Sequence, residues 1–103
     1  MKQIVLFGGT TEGRRLAVEL AEMGLSVTAS VATGYGEAQL APSLRLSIHT
    51  GRLNAAEMAD WFRRERFACA VDANHPYALE VTDNLRTACR ETDRKSTRLN
   101  SSH

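Results

Sequence analysis

The chain has 103 residues, 43% of them hydrophobic, with 13 basic and 12 acidic residues and a formal net charge of +1. This composition predicts one globular domain, and the scattered, nearly balanced charges argue against nucleic acid or an anionic membrane surface as a partner. The longest apolar run near the start, residues 4–7, is far too short to span a bilayer and no signal peptide is recognisable. We therefore expect a cytoplasmic protein.

The first half of the chain predicts one βαβ unit. An apolar strand over residues 3–7 stops at two glycines, and apolar residues then recur at helical spacing between residues 12 and 23. A β-branched run over residues 26–31 supplies the second strand. Apolar and polar residues alternate over 44–48, which predicts a third strand with one wetter face at the edge of the sheet.

The second half repeats the alternation of helix and strand. Asn54 and Glu57 predict a capping box at the start of a helix whose apolar face extends to residue 62. Residues 67–71 predict a fourth strand, residues 72–77 its loop, and an apolar stripe from 78 to about 91 the last helix. This order predicts an α/β fold, a Rossmann-like, doubly wound parallel sheet of about four strands in the order 3-2-1-4.

The two cysteines, Cys69 and Cys89, fall in the fourth predicted strand and on the apolar stripe of the last helix. Neither has neighbours at metal-ligand spacing. We expect both to be reduced core residues, and we predict no metal site.

The turn after the first strand has the composition of a phosphate site. It comprises Gly8, Gly9, Thr10, Thr11, Glu12, Gly13 and Arg14. In this position a parallel sheet binds a pyrophosphate on backbone N–H groups. Gly8 and Gly9 would allow positive φ and let the phosphate approach the backbone closely, and the threonines would add hydroxyl donors. Gly13 would permit close packing of the helix. The spacing is not a strict G-x-G-x-x-G and lacks the lysine of a P-loop, so a tight turn without a ligand remains an alternative.

The end of the second predicted strand favours NADPH over NADH. It lacks the acidic residue that commonly holds the ribose 2′-hydroxyl of NAD. Ser30 and Thr33 offer hydroxyls to a 2′-phosphate, and Arg14 offers a cation. For each of these two residues, capping a turn is an equally good interpretation of its hydroxyl.

The loop after the fourth strand lies on the same carboxyl edge of the sheet, where open α/β sheets bind ligands. Pro76 fits the first turn of the next helix, with Asn74 or His75 as its cap. His75 could instead donate to a substrate carboxylate or relay a proton, and Tyr77 could stack on a planar ring.

Four separated motifs resemble, in order and spacing, those of the precorrin-6A reductases. They are GGTTEG at residues 8–13, SVATGYG at 30–36, GRL at 51–53 and DANHPYA at 72–78. The resemblance covers the chain to residue 92, with one departure, because the family commonly has Thr where this chain has Asn74. It implies NADPH-dependent reduction of a ring double bond of precorrin-6A, or of its cobalt-containing counterpart, to precorrin-6B in cobalamin biosynthesis.

The resemblance also implies a substrate side to the site, in a cleft shared with a second domain. A tetrapyrrole rimmed by acetate and propionate groups needs cationic and hydroxyl partners, so Arg52 and His75 are candidates for carboxylate contacts. Arg52 as a solvated loop residue is an equally good interpretation. The substrate-side set is Arg52, Asp72, Asn74, His75, Pro76 and Tyr77. No catalytic residue is assigned, since hydride chemistry belongs to the cofactor.

Residues 93–103 are polar and continue no earlier pattern, which predicts a disordered tail. Their letters, DRKSTRLNSSH, are also those of a common sequencing-adapter oligonucleotide translated into protein. We therefore expect an incomplete NADPH-binding domain over residues 1–92, cut short before the second domain, followed by a tail that is not native to it.

Two other functions fit parts of this pattern. A short-chain dehydrogenase or sugar-nucleotide epimerase fragment would also open with a strand and a glycine turn. Those enzymes need a Tyr-x-x-x-Lys pair, however, and Tyr77 has Val81 at that spacing. An NADP-sensing regulatory module could use the same fold without any reductase activity.

Overall fold

The computed structural model describes residues 3–32 and 45–99, and these residues form five strands and three helices. The strands are β1 (Gln3–Phe7), β2 (Ser26–Val31), β3 (Leu46–Thr50), β4 (Cys69–Asp72) and β5 (Lys95–Arg98). The helices are α1 (Thr11–Glu22), α2 (Ala55–Glu65) and α3 (Leu79–Thr92). Leu44, predicted to belong to the third strand, and Thr33 lie outside the described residues.

All strand pairs are parallel, and the sheet order is β3-β2-β1-β4-β5. The predicted order of the first four strands and the edge position of β3 are therefore confirmed. Helices cover both faces of the sheet. Because successive side chains of a strand alternate between faces, Leu6 packs toward α1, whereas Val5 and Phe7 pack toward α2 and α3.

Two apolar clusters hold the layers together. The cluster on the α1 face is formed by small and branched side chains, among them Leu6, Ala17, Val27, Ala29 and Leu46. The opposite cluster is aromatic: Phe7, Trp61, Phe62 and Phe67 meet mostly edge to face, with centroid separations of 5.2 to 6.2 Å. Phe67 lies before β4, so the fourth strand begins two residues later than predicted.

The start of α2 and the end of α1 follow the local sequence. The predicted capping box is confirmed: Asn54 Oδ1 accepts the Glu57 N–H at 2.8 Å, and Glu57 Oε1 accepts the Asn54 N–H at 2.9 Å. Gly24, with φ of 97°, follows α1 and allows the chain to turn into β2.

The predicted disorder of the tail is wrong for residues 95–98, which form β5 beside β4 in the register Cys69↔Lys95 to Asp72↔Arg98. All four side chains of β5 are exposed and carry no apolar pattern. The strand pairs with β4 through main-chain atoms, and its Arg98 side chain also lies 3.5 Å from Asp72 Oδ2. Leu99 continues the pairing, because its N–H donates to the Asp72 carbonyl at 2.8 Å. β4 therefore lies between β1 and β5.

Candidate functional site

The glycine turn between β1 and α1 lies directly against the loop that follows β4. Gly8 has φ of 124°, and a Cβ at that position would lie 2.5 Å from the carbonyl oxygen of Ala73. A Cβ on Gly13 would lie 2.8 Å from the Ala73 Cβ. Positive φ at Gly8 and close packing at Gly13 are thus confirmed, and the packing partner is the second loop.

Thr10 fastens these two loops together. Its hydroxyl accepts the Gly13 N–H at 3.0 Å, as the N-cap of α1, and donates to the Ala73 carbonyl at 2.9 Å. A hydroxyl has only one proton to donate. The expectation that Thr10 is a free hydroxyl donor for a phosphate is therefore wrong.

The first turn of α1 retains the properties of an anion site. The N–H groups of Thr11 and Glu12 have no acceptor within the helix, and they lie at the positive end of its dipole. Gly9 and the side chain of Glu12 are exposed. Arg14 folds back over the turn, where its guanidinium donates to the Gly9 carbonyl and to Thr11 Oγ1, the latter at 3.3 Å.

A cavity of about 350 Å³ opens at the carboxyl edge of the sheet, on the face covered by α2 and α3. Four of the predicted site residues line it: Ser30, Arg52, Asn74 and Tyr77. Phe7, which precedes the glycine turn, lines it as well, so the cavity adjoins the turn. Its volume lies within the range of about 300 to 1,000 Å³ that is usual for small-molecule sites.

Asp72 is only 5% exposed and makes its contacts inside the protein. Its Oδ1 accepts the main-chain and side-chain N–H groups of Asn74 at 3.0 and 2.9 Å, and its Oδ2 accepts the Thr82 hydroxyl at 2.8 Å. Arg98 completes the shell at 3.5 Å from Oδ2. Because Asp72 is buried and accepts both N–H groups of Asn74, its predicted contact with a substrate gives way to a positioning role for Asn74, which lines the cavity.

His75, Pro76 and Tyr77 form a turn at the mouth of the site, closed by the Ala78 N–H donating to the His75 carbonyl at 2.9 Å. Since α3 begins at Leu79 and its N-cap Ala78 has no side-chain cap, neither Asn74 nor His75 caps the helix and Pro76 precedes it. That capping interpretation is wrong.

The same turn sets the tautomer of His75. The Tyr77 N–H donates to His75 Nδ1 at 3.3 Å, and the two rings lie 5.0 Å apart. Because Nδ1 is an acceptor, the neutral ring carries its proton on Nε2, which the exposed side chain can present to a ligand. Tyr77 is 85% exposed beside it.

Comparison with known proteins identifies the family. The chain matches the family model described as precorrin-6x reductase CbiJ/CobK over residues 3–102. The chain belongs to the precorrin-6x reductase family. It is 37% identical over 86 residues to the cobalt-precorrin-6A reductase of Salmonella typhimurium, covering 84% of this chain and 32% of that protein. It is 36% identical over 94 residues to the precorrin-6A reductase of Rhodobacter capsulatus, covering 89% and 36% respectively.

Among solved structures, the CobK precorrin-6A reductase superposes with a TM-score of 0.84 at 31% identity, covering 99% of this chain and 40% of that one. The chain thus spans about a third of the length of the curated relatives it matches. The described sheet therefore corresponds to one part of these longer proteins.

Two polar residues that line the cavity were not predicted from the sequence. Glu80 and Asn84 line the cavity from α3, where their spacing of four residues places them on one helix face. Leu79 also lines the cavity and is 66% exposed. Glu80 and Asn84 lie beside the apolar stripe of Val81 and Leu85 in the helix, and this polar pair could have indicated that they face a site.

Both cysteines are free, as predicted: Cys89 is buried and Cys69 is partly buried. Burial raises the pKa of the Cys89 thiol, although a hydrogen bond with Ser96 acts to lower it.

Over residues 3–32 and 45–99, no three His, Cys, Asp or Glu side chains come together as a metal site requires. None of the helices in these ranges has the length and apolar character needed to cross a membrane.

Proposed function

We propose that the protein containing this chain uses NADPH to reduce a ring double bond of precorrin-6A, or of cobalt-precorrin-6A, in cobalamin biosynthesis in the cytoplasm. The product would be precorrin-6B or its cobalt counterpart. The observation that carries the proposal is the cavity at the carboxyl edge of the sheet, beside a glycine turn with free helix N–H groups, in a chain of this family.

The nucleotide would occupy the turn and the cavity. The N–H groups of Thr11 and Glu12 would receive the pyrophosphate, with the Arg14 guanidinium adjacent. Asn74 Oδ1, held in place by Asp72, would accept a hydrogen bond from the cofactor. The apolar part of the cavity, lined by Phe7 and other side chains, would exclude water from it.

The macrocycle would lie outside the mouth, because a cavity of about 350 Å³ cannot also contain a tetrapyrrole. The exposed side chains of Tyr77 and Leu79 offer an aromatic and an aliphatic surface to a planar ring. The Nε2–H of His75 would donate to a peripheral carboxylate of that ring.

When bound, NADPH supplies the hydride, and one hydride with one proton saturates one carbon–carbon double bond. The role of this chain is to hold and orient the cofactor against the ring. We assign the proton transfer to no residue of the described part.

We further propose that residues 1–92 are an incomplete cofactor-binding domain, that residues 93–103 are not its natural continuation, and that reduction requires a second domain. The chain's coverage of about a third of its relatives supports the need for more protein. The pairing of β5 with β4 uses main-chain atoms, which a foreign sequence can also supply.

The experiment compares the complete reductase with this 103-residue chain. Each is mixed with precorrin-6A and NADPH, and NADPH oxidation and the mass of the product are followed. The complete protein should oxidise NADPH and give a product two hydrogens heavier, while the chain alone should give neither. Turnover by the chain alone, or none by the complete protein, would refute the proposal.

A further inference from the structure

We infer that Thr82 is a positioning residue of the nucleotide site: its hydroxyl, acting through Asp72, sets the orientation of the Asn74 amide and thereby the affinity for the cofactor. This inference rests on the proposed function, since Asn74 lines the cavity in which the cofactor would bind. Thr82 itself is 4% exposed and is not among the side chains that line this cavity.

Two buried threonines of α3 use their hydroxyls differently. Thr92 donates to the carbonyl of Ala88, four residues earlier in the same helix, at 2.8 Å. This is a common local partner of a threonine inside a helix. Thr82 donates at 2.8 Å to Asp72 Oδ2, which lies ten residues earlier and outside the helix. The hydroxyl of Thr82 therefore joins α3 to the end of β4.

The carboxylate of Asp72 connects Thr82 with Asn74. Its Oδ2 accepts the Thr82 hydroxyl, while its Oδ1 accepts the main-chain and side-chain N–H groups of Asn74 at 3.0 and 2.9 Å. Since a carboxylate is planar, a bond at one oxygen fixes the direction of the other. The terminal torsion of an aspartate has broad minima, so without the Thr82 hydroxyl the carboxylate could rotate and the contacts of Asn74 would change with it.

Arg98 is a second donor near Asp72 Oδ2. Its Nη1 lies 3.5 Å from that oxygen and 3.4 Å from Thr82 Oγ1, and its side chain is 38% exposed. An exposed arginine at this distance is a weak substitute for a buried hydroxyl at 2.8 Å. Arg98 also belongs to residues 93–103, which we propose are foreign to the domain. Thr82 is therefore the donor that the complete protein would retain.

The residue between Asp72 and Asn74 is held from the opposite face of the sheet. The Thr10 hydroxyl, at the start of α1, donates to the Ala73 carbonyl at 2.9 Å. Loss of the Thr82 hydroxyl should therefore leave the path of the loop largely unchanged and act mainly on the Asn74 amide. We expect a loss of cofactor affinity that depends on Asn74, and not a general loss of structure.

The test measures NADPH affinity by calorimetry in the 103-residue chain and in the complete reductase, at a temperature where circular dichroism shows each variant to be folded. Thr82→Val removes the hydroxyl at nearly constant volume and should weaken NADPH binding about tenfold. Thr82→Ser keeps the hydroxyl and should remain within about threefold of the wild type.

Thr92→Val is the matched control, because it removes another buried hydroxyl with a 2.8 Å bond from the same helix. It should lower Tm, as Thr82→Val does, but leave NADPH affinity within about twofold of the wild type.

A double-mutant cycle tests whether Asn74 carries the effect. In an Asn74→Ala background, Thr82→Val should change NADPH affinity by less than about twofold, because the group that Thr82 positions has been removed. A purely structural role of Thr82 would instead give the same loss, about tenfold, with or without the Asn74 amide.

Three results would overturn the inference while the nucleotide site stands: wild-type affinity in Thr82→Val, equal losses in Thr82→Ser and Thr82→Val, or an additive cycle. If Thr82→Val does not fold, Thr82→Ala replaces it, because it adds no methyl group beside the carboxylate. Failure of both variants to fold would make Thr82 a residue of the fold alone, which also overturns the inference.

If only the complete reductase binds NADPH, its variants decide between these outcomes. If neither the wild-type chain nor the complete reductase binds NADPH, the proposed function fails, and the inference fails with it.

Discussion

Substituting Gly8 with alanine tests the contact between the two loops that build the site. The new methyl group would lie 2.5 Å from the Ala73 carbonyl oxygen, 2.6 Å from the Ala73 carbonyl carbon and 2.9 Å from the Asn74 nitrogen. All three are main-chain atoms, so no side chain can rotate away. The backbone at Gly8 also has φ of 124°, which an alanine rarely adopts.

The two effects have separate magnitudes. The unfavourable φ costs about 1–3 kcal/mol, and forcing a methyl group into an already packed contact costs about 1–3 kcal/mol more. The sum of roughly 2–6 kcal/mol is a large part of the about 5–15 kcal/mol that stabilises a typical domain. Gly24→Ala is the control, because Gly24 has φ of 97° but a Cβ there meets no atom within 4 Å.

Thermal unfolding of both variants separates the two contributions. At about 4–8 °C per kcal/mol for a chain of this size, Gly8→Ala should lower Tm by several degrees more than Gly24→Ala does. Affinity for adenosine 5′-monophosphate should fall as well, because the displaced loop carries Asn74. Equal Tm losses for the two variants would show that Ala73 does not approach Gly8 as closely as described.

Three further outcomes follow from the same contacts. In denaturant titrations, Asp72→Asn should lower the free energy of unfolding by about 1–3 kcal/mol, because Asp72 is a buried acceptor of three hydrogen bonds. The control Asp60→Asn, at an exposed position, should lower it by under about 0.5 kcal/mol, and equal losses would contradict the buried network. Ending the chain at Thr92 removes β5 and should measurably lower Tm, since β4 loses its partner strand; coincident melting curves would instead support a disordered tail. Gly9→Val should weaken nucleotide binding at least about tenfold by calorimetry without unfolding the chain, since Gly9 is exposed at the turn; a folded variant that binds normally would place the pyrophosphate elsewhere.

Local sequence signals predicted most of the fold. The bounds of β1 and β2 agree with the structure, and the capping box at Asn54 locates α2. The strand order follows from right-handed crossovers between buried strands. β5 could not be found in this way, because its four exposed side chains leave no apolar alternation to detect.

Four of the predicted site residues share one cavity, but the contacts of the predicted residues were not foreseen. Sequence position brought Ser30, Arg52, Asn74 and Tyr77 to one edge of the sheet, and the cavity confirms that they are neighbours. It did not show that Asp72 faces inward or that the Thr10 hydroxyl is already bonded to Ala73. The contact between Thr10 and Ala73 joins loops that are 63 residues apart, and no local pattern encodes it.

The most direct test of the proposed activity is a single turnover of the complete reductase with NADPH that carries deuterium at the transferring position of the nicotinamide. The reduced corrin product is then analysed by mass spectrometry and NMR. If NADPH is the hydride donor, the product carries one deuterium on a ring carbon and one equivalent of NADP⁺ is formed. A product without deuterium, or equal reduction in the absence of NADPH, would contradict the proposed activity.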